Sequence, residues 1–374
     1  MGDDNFLKEI GRSYIVSAFL PAAIFLLPFF FLFRGFLPIT WANQLLGSEA
    51  FVKYQWIILS LLVFWVAFYL FSANDITVRL FEGYLFPKRL RLALIERQQK
   101  GWDKRNFQKL RKWQRLNKSI NERIDKGEEV SENELARNAR NFLEAHEELA
   151  GIEIRSPMSA DDLMPTRLGN VLRASEMYAY ERYAIEEITI WPRLVSVLPG
   201  SIIRNIEEKN NHFMFLINSS FMAFINAFFS FIFGVIGLPI MFFPNFIRSL
   251  LGNAISFFYI GYDYINPLGY VIISALLSGF GYILYRIAVN VAEDFGMYVR
   301  TSFDLYRVNL IRQLNWQPPK TLEEERELWR DITRFIIAAE RLGEVKFPKF
   351  QYADLSAQRN SNASAENSQS ESED

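Results

Sequence analysis

The chain has 374 residues, with 41 Lys and Arg against 42 Asp and Glu, no Cys, two His and a mean hydropathy of +0.03. The absence of Cys excludes disulfides, thiolate metal sites and cysteine nucleophiles, and His146 and His212 alone would leave a transition-metal site mostly to carboxylates. Near-neutral hydropathy here is the sum of very apolar and very charged blocks, which a soluble domain would mix at residue scale.

A bilayer core about 30 Å thick needs about 20 apolar residues in a helix, and four runs meet that need. The first, 14–37, is loaded with Phe25, Phe29, Phe30, Phe31 and Phe33, and its Pro21 and Pro28 predict kinks. It is too long for a signal peptide and carries no small-residue cleavage site, so it reads as a retained span. The second, 54–71, opens on Tyr54 and Trp56, which suit the headgroup level. The third, 213–238, carries Asn218, Ser219, Ser220, Asn226 and Ser230, and the fourth, 268–285, carries Ser274 and Ser278 with Ala275 and Gly279 in small-xxx-small spacing. Spans two to four contain no charge, and Arg34 in the first lies close enough to its end to snorkel.

Orientation follows from the Lys/Arg bias. The link 38–53 holds only Lys53 and the link 239–267 only Arg248, whereas Lys8, Arg12, the run after span two, Arg204, Lys209, Arg286 and Arg300 mark the opposite side. The expectation is an all-α, multi-pass protein of the plasma (inner) membrane with both termini cytoplasmic: 1–13 and 72–212 inside, then 286–350 as cytoplasmic helices and 351–374 as a disordered tail. The link 239–267, with Phe242, Phe243, Phe246, Phe257 and Phe258, is too apolar to face water and reads as interfacial or re-entrant.

Within 72–212, the stretch from Phe86 to Lys118 is basic, with only Glu96 and Asp103 opposing, and Phe107, Leu110, Trp113 and Leu116 form a stripe. From Ser119 to Asp162 acids outnumber bases, and Ser131 with Glu134 forms a capping box ahead of Leu135, Ala139, Phe142, His146 and Leu149. Asp125, Lys126 and Gly127 between them read as a stop and turn, which predicts a helical hairpin of a basic arm against an acidic arm. Span four continues without a breaker towards Asn315, Pro318 and Pro319 end that helix, and Thr321 with Glu324 opens a last one.

No phosphate loop, dinucleotide fingerprint or zinc-protease helix is present. No catalytic, cofactor or metal residue is assigned. Asn218, Asn226 and Ser230, with Ser274 and Ser278, read as interhelix hydrogen-bonding groups, with pore-lining as the alternative.

Four motifs stand out: Arg79-Leu-Phe-Glu-Gly-Tyr84; Pro165-Thr-Arg-Leu-Gly-Asn170 with Arg173 and Glu176; Trp191-Pro-Arg-Leu194; and Phe303-Asp-Leu-Tyr-Arg307, followed by Glu324-Glu-Arg and Trp329. Together they resemble a family of uncharacterised bacterial four-span membrane proteins to which no activity is assigned. The layout is also similar to that of bestrophin anion channels, whose motifs are absent. The charges Arg79, Glu82, Arg167, Arg173, Glu176, Arg193, Asp304 and Arg307 form a candidate structural or gating network at the cytoplasmic mouth.

The functional expectation is a non-enzymatic membrane scaffold or effector, forming homo-oligomers and binding a cytoplasmic protein partner rather than nucleic acid. The alternative is an oligomeric passive ion channel. An enzyme acting on lipid through Glu82 or Glu176 is a distant third.

Overall fold

A computed structural model describes residues 11–33, 49–100, 102, 107–251 and 265–338, and every regular element among them is helical. A π-helical stretch, Ile15–Phe19, feeds α1 (Leu20–Phe33); α2 (Glu49–Ser72) bends by 62° into α3 (Asn74–Glu82), and α4 (Lys88–Gln99) follows. Then come α5 (Gln108–Asp125), α6 (Glu132–Arg155), α7 (Arg167–Tyr183), α8 (Glu187–Val195), α9 (Gly200–Phe242), α10 (Pro244–Leu251), α11 (Pro267–Gln313) and α12 (Leu322–Ala338). Three helices are long and apolar enough to cross a membrane, Gly11–Phe30, Gly200–Phe242 and Pro267–Gln313, and a fourth results if the bent pair Trp56–Ser72 and Asn74–Glu82 is one span.

The apolar windows 213–238 and 268–285 lie inside helices of 43 and 47 residues, because no breaker separates the apolar run from the charged stretch beside it. The continuation of span four to Gln313 is as its sequence predicts. Residues 34–48, residues 252–264 of the 239–267 link, and residues 339–374 with the tail lie outside the described residues.

The chain forms two units: Met1–Gln98, Met164–Gly169 and Glu207–Phe295 make the first, and Gln99–Leu163, Asn170–Ile206 and Gly296–Asp374 the second. In the first, Ala18, Ala22, Phe25 and Leu26 pack with Leu59, Val63, Ala67, Leu70, Met222 and Ala223. The alanines let the helix backbones approach. Pro21 has no N–H, so the Ser17 carbonyl four residues earlier loses its α-helical donor, and the π-helical turn falls just before that proline. Asn218 fills the gap: its Nδ2 donates to Ser17 O at 2.7 Å and to Asn74 Oδ1, just past the bend, at 2.9 Å.

One helix turn pair further on, Asn226 Nδ2 donates to Phe25 O at 3.0 Å, at the same sequence separation of 201 residues, so the first helix and α9 run parallel. Ser220 Oγ donates to Gly281 O and Ser274 Oγ to Ala227 O, which sets α9 and α11 antiparallel. Asn218→Leu strips a donor from two acceptors at once and is expected to cost about 1–2 kcal/mol, read as a lower melting temperature in detergent. An unchanged melting temperature would refute the assignment.

In the second unit, α5 and α6 form the expected hairpin, turning at Gly127 with φ +74. Its seam differs from the expected stripe. Leu135 and Phe142 are each 46% exposed, while Ile120, Asn141 and Ala145 are buried. Asn138 Nδ2 donates to Asn117 Oδ1 at 2.8 Å across the arms, and Arg123 binds Glu134 at 3.0 Å and Glu128 at 3.2 Å beside the turn. An amide pair between the two helices and a forked guanidinium fix the register here, and apolar periodicity does not reveal either.

Candidate functional site

The first unit brings two of the motifs together. α3 ends where Gly83 adopts φ +91, its N–H and that of Tyr84 closing on the carbonyls of Leu80 and Arg79. A Cβ on Gly83 would lie 2.4 Å from Pro165 Cγ, and one on Gly169 would lie 2.8 Å from the Glu82 carbonyl oxygen. The two glycines are what allow the Arg79–Tyr84 turn to seat against the 165–169 segment. Gln98 Nε2 donates to the carbonyls of Met164 and Pro165, both at 3.0 Å, and the Leu168 N–H donates to the Tyr285 hydroxyl at 3.3 Å. Beside this junction lies an apolar groove of about 570 Å³, lined among others by Leu80, Phe81, Phe86, Phe224, Phe228 and Tyr285.

In the second unit, Asp304 accepts the hydroxyls of Tyr178, at 2.8 Å, and Tyr183, at 2.8 Å. Burial, then the Asp304 hydrogen bond, pushes both phenols above their ordinary range. Arg307 stacks 3.9 Å over the Tyr183 ring and binds Glu325 at 2.8 Å, and Glu325 also accepts from Trp329 Nε1 at 3.4 Å. Trp191 packs on Phe303 with ring centroids 5.9 Å apart, so the third and fourth motifs meet as well. Arg300 is 7% exposed and donates to the Glu153 carbonyl at 2.8 Å, and burial lowers its pKa.

Glu187, the first residue of α8, keeps a buried Oε2 with no hydrogen-bond partner among the described residues, and burial, then the nearby Glu176 charge, raises its pKa to about 8. A raised carboxyl pKa stabilises the fold fully below the ordinary 4.5, and that stabilisation is lost as pH climbs through about 8. Glu187→Gln is therefore expected to flatten the decline in stability between those limits and to add about 1–3 kcal/mol at pH 9. Urea unfolding followed by circular dichroism across that range checks it, and an unaltered slope would count against a buried, protonated Glu187.

The hairpin supplies a third feature. A concavity of about 680 Å³ across α5 and α6 is lined by Arg111, Lys112, Arg115 and Arg137 with Gln108, Leu116 and Asn141. None of these four cations forms an ion pair with another described residue.

Of the network expected from the motifs, Arg79, Glu82 and Arg167 fall in the first unit and Arg173, Glu176, Arg193, Asp304 and Arg307 in the second. Arg173 reaches Asp162 at 3.7 Å and Glu176 at 3.5 Å as a half-exposed cluster, which contributes little. Arg193 donates to the Thr189 carbonyl in its own helix. Ser230 is buried with no partner for its hydroxyl among the described residues, and Ser278 is partly buried. His146 stacks on Phe142, itself 5.2 Å from Trp113. Tyr178, Tyr183 and Glu187 carry no sequence signal beyond composition and Arg300 only that of an orientation-setting charge, whereas Glu325 and Trp329 lie in the flagged stretch. Among the described residues no three His, Asp or Glu side chains converge as metal ligands. No family model, curated protein or solved structure matches the chain.

Proposed function

We propose that the chain is a four-span membrane scaffold whose extramembrane helices dock a protein partner through an acidic segment. The observation that carries this reading is the hairpin concavity, where four cations with no ion pair among the described residues line one groove with Leu116 and two amides. Such a groove offers charge-assisted hydrogen bonds and a small apolar contact to a carboxylate-rich peptide. The parallel course of the first helix and α9 supports the bent pair as a full return crossing, hence an even number of spans with both ends on one side. The Lys/Arg bias favours the cytoplasm for that side.

A channel lined by Asn218, Asn226 and Ser274 gains no support, since all three donate to neighbouring helix carbonyls. An oligomeric pore would need other residues.

The test is fluorescence anisotropy of a labelled oligoglutamate peptide against the full chain in mild detergent. Binding is expected to weaken at least tenfold in R111E/K112E/R115E, roughly what a few charge-assisted contacts supply. An unchanged affinity in the variant, or preference for an oligonucleotide of equal charge, would overturn the proposal.

A further inference from the structure

The apolar groove of the first unit has cations next to its lining residues along the chain, and among the described residues none of these cations is engaged in an ion pair. Its lining residues Leu80, Thr166 and Tyr285 are each followed or preceded in the chain by an arginine: Arg79, Arg167 and Arg286. A fourth cation, Lys88, lies two residues beyond lining Phe86. All four are exposed, and none forms an ion pair with another described residue. They come from separate pieces of chain, namely α3, the start of α4, the start of α7 and the inner end of span four. α3 also carries Asp75 and Glu82, and the chain after it adds Arg89 and Arg91 before the next acid, Glu96.

A concavity walled by phenylalanines at bilayer depth cannot hold water without losing hydrogen bonds, and an empty one forfeits its dispersion contacts. Its volume of about 570 Å³, open along one side, is room for a chain-like ligand to lie along it. Tyr282 and Tyr285 line it near the end of the apolar run, where aromatic residues meet headgroups. The contacts of Gly83 with Pro165 and of Leu168 with Tyr285 bring the three chain segments that carry Arg79, Arg167 and Arg286 to one junction, which supplies what an acyl chain alone would not need, positive charge suited to a phosphate.

We infer that this groove is a binding site for one anionic phospholipid, its acyl chain along Phe81, Phe224 and Phe228 and its phosphate met by Arg79, Arg167 and Arg286. The inference rests on the reading of the apolar helices as membrane spans and is independent of the hairpin groove.

The experiment is native mass spectrometry of the full chain in mild detergent with equimolar phosphatidylglycerol and phosphatidylcholine. The expected result is a single phosphatidylglycerol adduct favoured at least tenfold, since each basic residue at a lipid surface contributes about fivefold. R79Q/R167Q/R286Q is expected to bring the two lipids near parity, and Ile225→Trp, which fills the groove, to remove both adducts. Equal retention of the two lipids by the unmodified chain, or an unchanged preference in the triple variant, would overturn the site. Should Ile225→Trp lose its helical signal, the arginine variant decides, because it alters exposed side chains alone. Release of the protein from membranes by alkaline carbonate would instead defeat the spanning reading on which the site rests.

Discussion

Gly83→Ala is expected to destabilise the first unit by about 3 kcal/mol, combining the cost of a left-handed alanine with that of overpacking. Two separate facts meet at this residue. Its φ of +91 is one that side chains rarely adopt, and its missing Cβ leaves the space that Pro165 Cγ occupies. Gly127→Ala separates the two contributions, for that turn has φ +74 and no heavy atom within 4 Å of the added carbon. It should cost about 1–2 kcal/mol, the backbone share alone. Thermal unfolding of both variants in one detergent gives the comparison. Equal losses would show that Pro165 yields, and the packing account of the junction would fall.

Arg307→Met is expected to cost about 3–5 kcal/mol, because it leaves the Glu325 carboxylate buried and uncompensated. The pair is well enclosed, with side-chain exposures of 17% for Arg307 and 8% for Glu325. Removing both partners, in R307M/E325L, should cost markedly less than the single change, since a buried ion pair replaced by apolar groups of similar size is often nearly neutral. The double-mutant cycle reads the coupling directly. A double variant as unstable as the sum of the singles would mean that Arg307 acts through its stacking on Tyr183 and not through the carboxylate.

The apolar helices are legible in the sequence because a bilayer imposes a length and an absence of charge on every crossing, both of which can be counted along the chain. Helix starts at Ser131 and Thr321 are legible for a similar reason, a local hydrogen bond from the N–H of Glu134 or Glu324 to the capping hydroxyl. The destinations of polar groups are not local. Asn218 on an apolar helix signals that a partner exists, but the carbonyl it serves is orphaned by a proline 197 positions earlier, since Pro21 leaves Ser17 O free and the bond spans 201 residues. The pairing of Gly83 with Pro165 is hidden likewise, because a glycine announces a close approach and not the residue that approaches. Leu135 and Phe142 mislead for a different reason. Their helical spacing is real, yet α6 leaves both half-exposed, with Phe142 meeting Trp113 at the margin of the seam, while Asn138 and Arg123 hold the hairpin through its polar groups.

The equal spacing of the bonds that α9 makes has an evolutionary consequence. Asn218 and Asn226 grip the first helix, and Ser220 and Ala227 meet α11, so α9 serves as a vernier for both neighbours. Inserting one residue between two grip points rotates everything beyond it by about 100° and swings the second bond away from its acceptor. Length changes in the stretch of α9 shared by both grips are therefore tolerated only when all three helices change in step, and drift in chain length is pushed into the connections outside the gripped intervals.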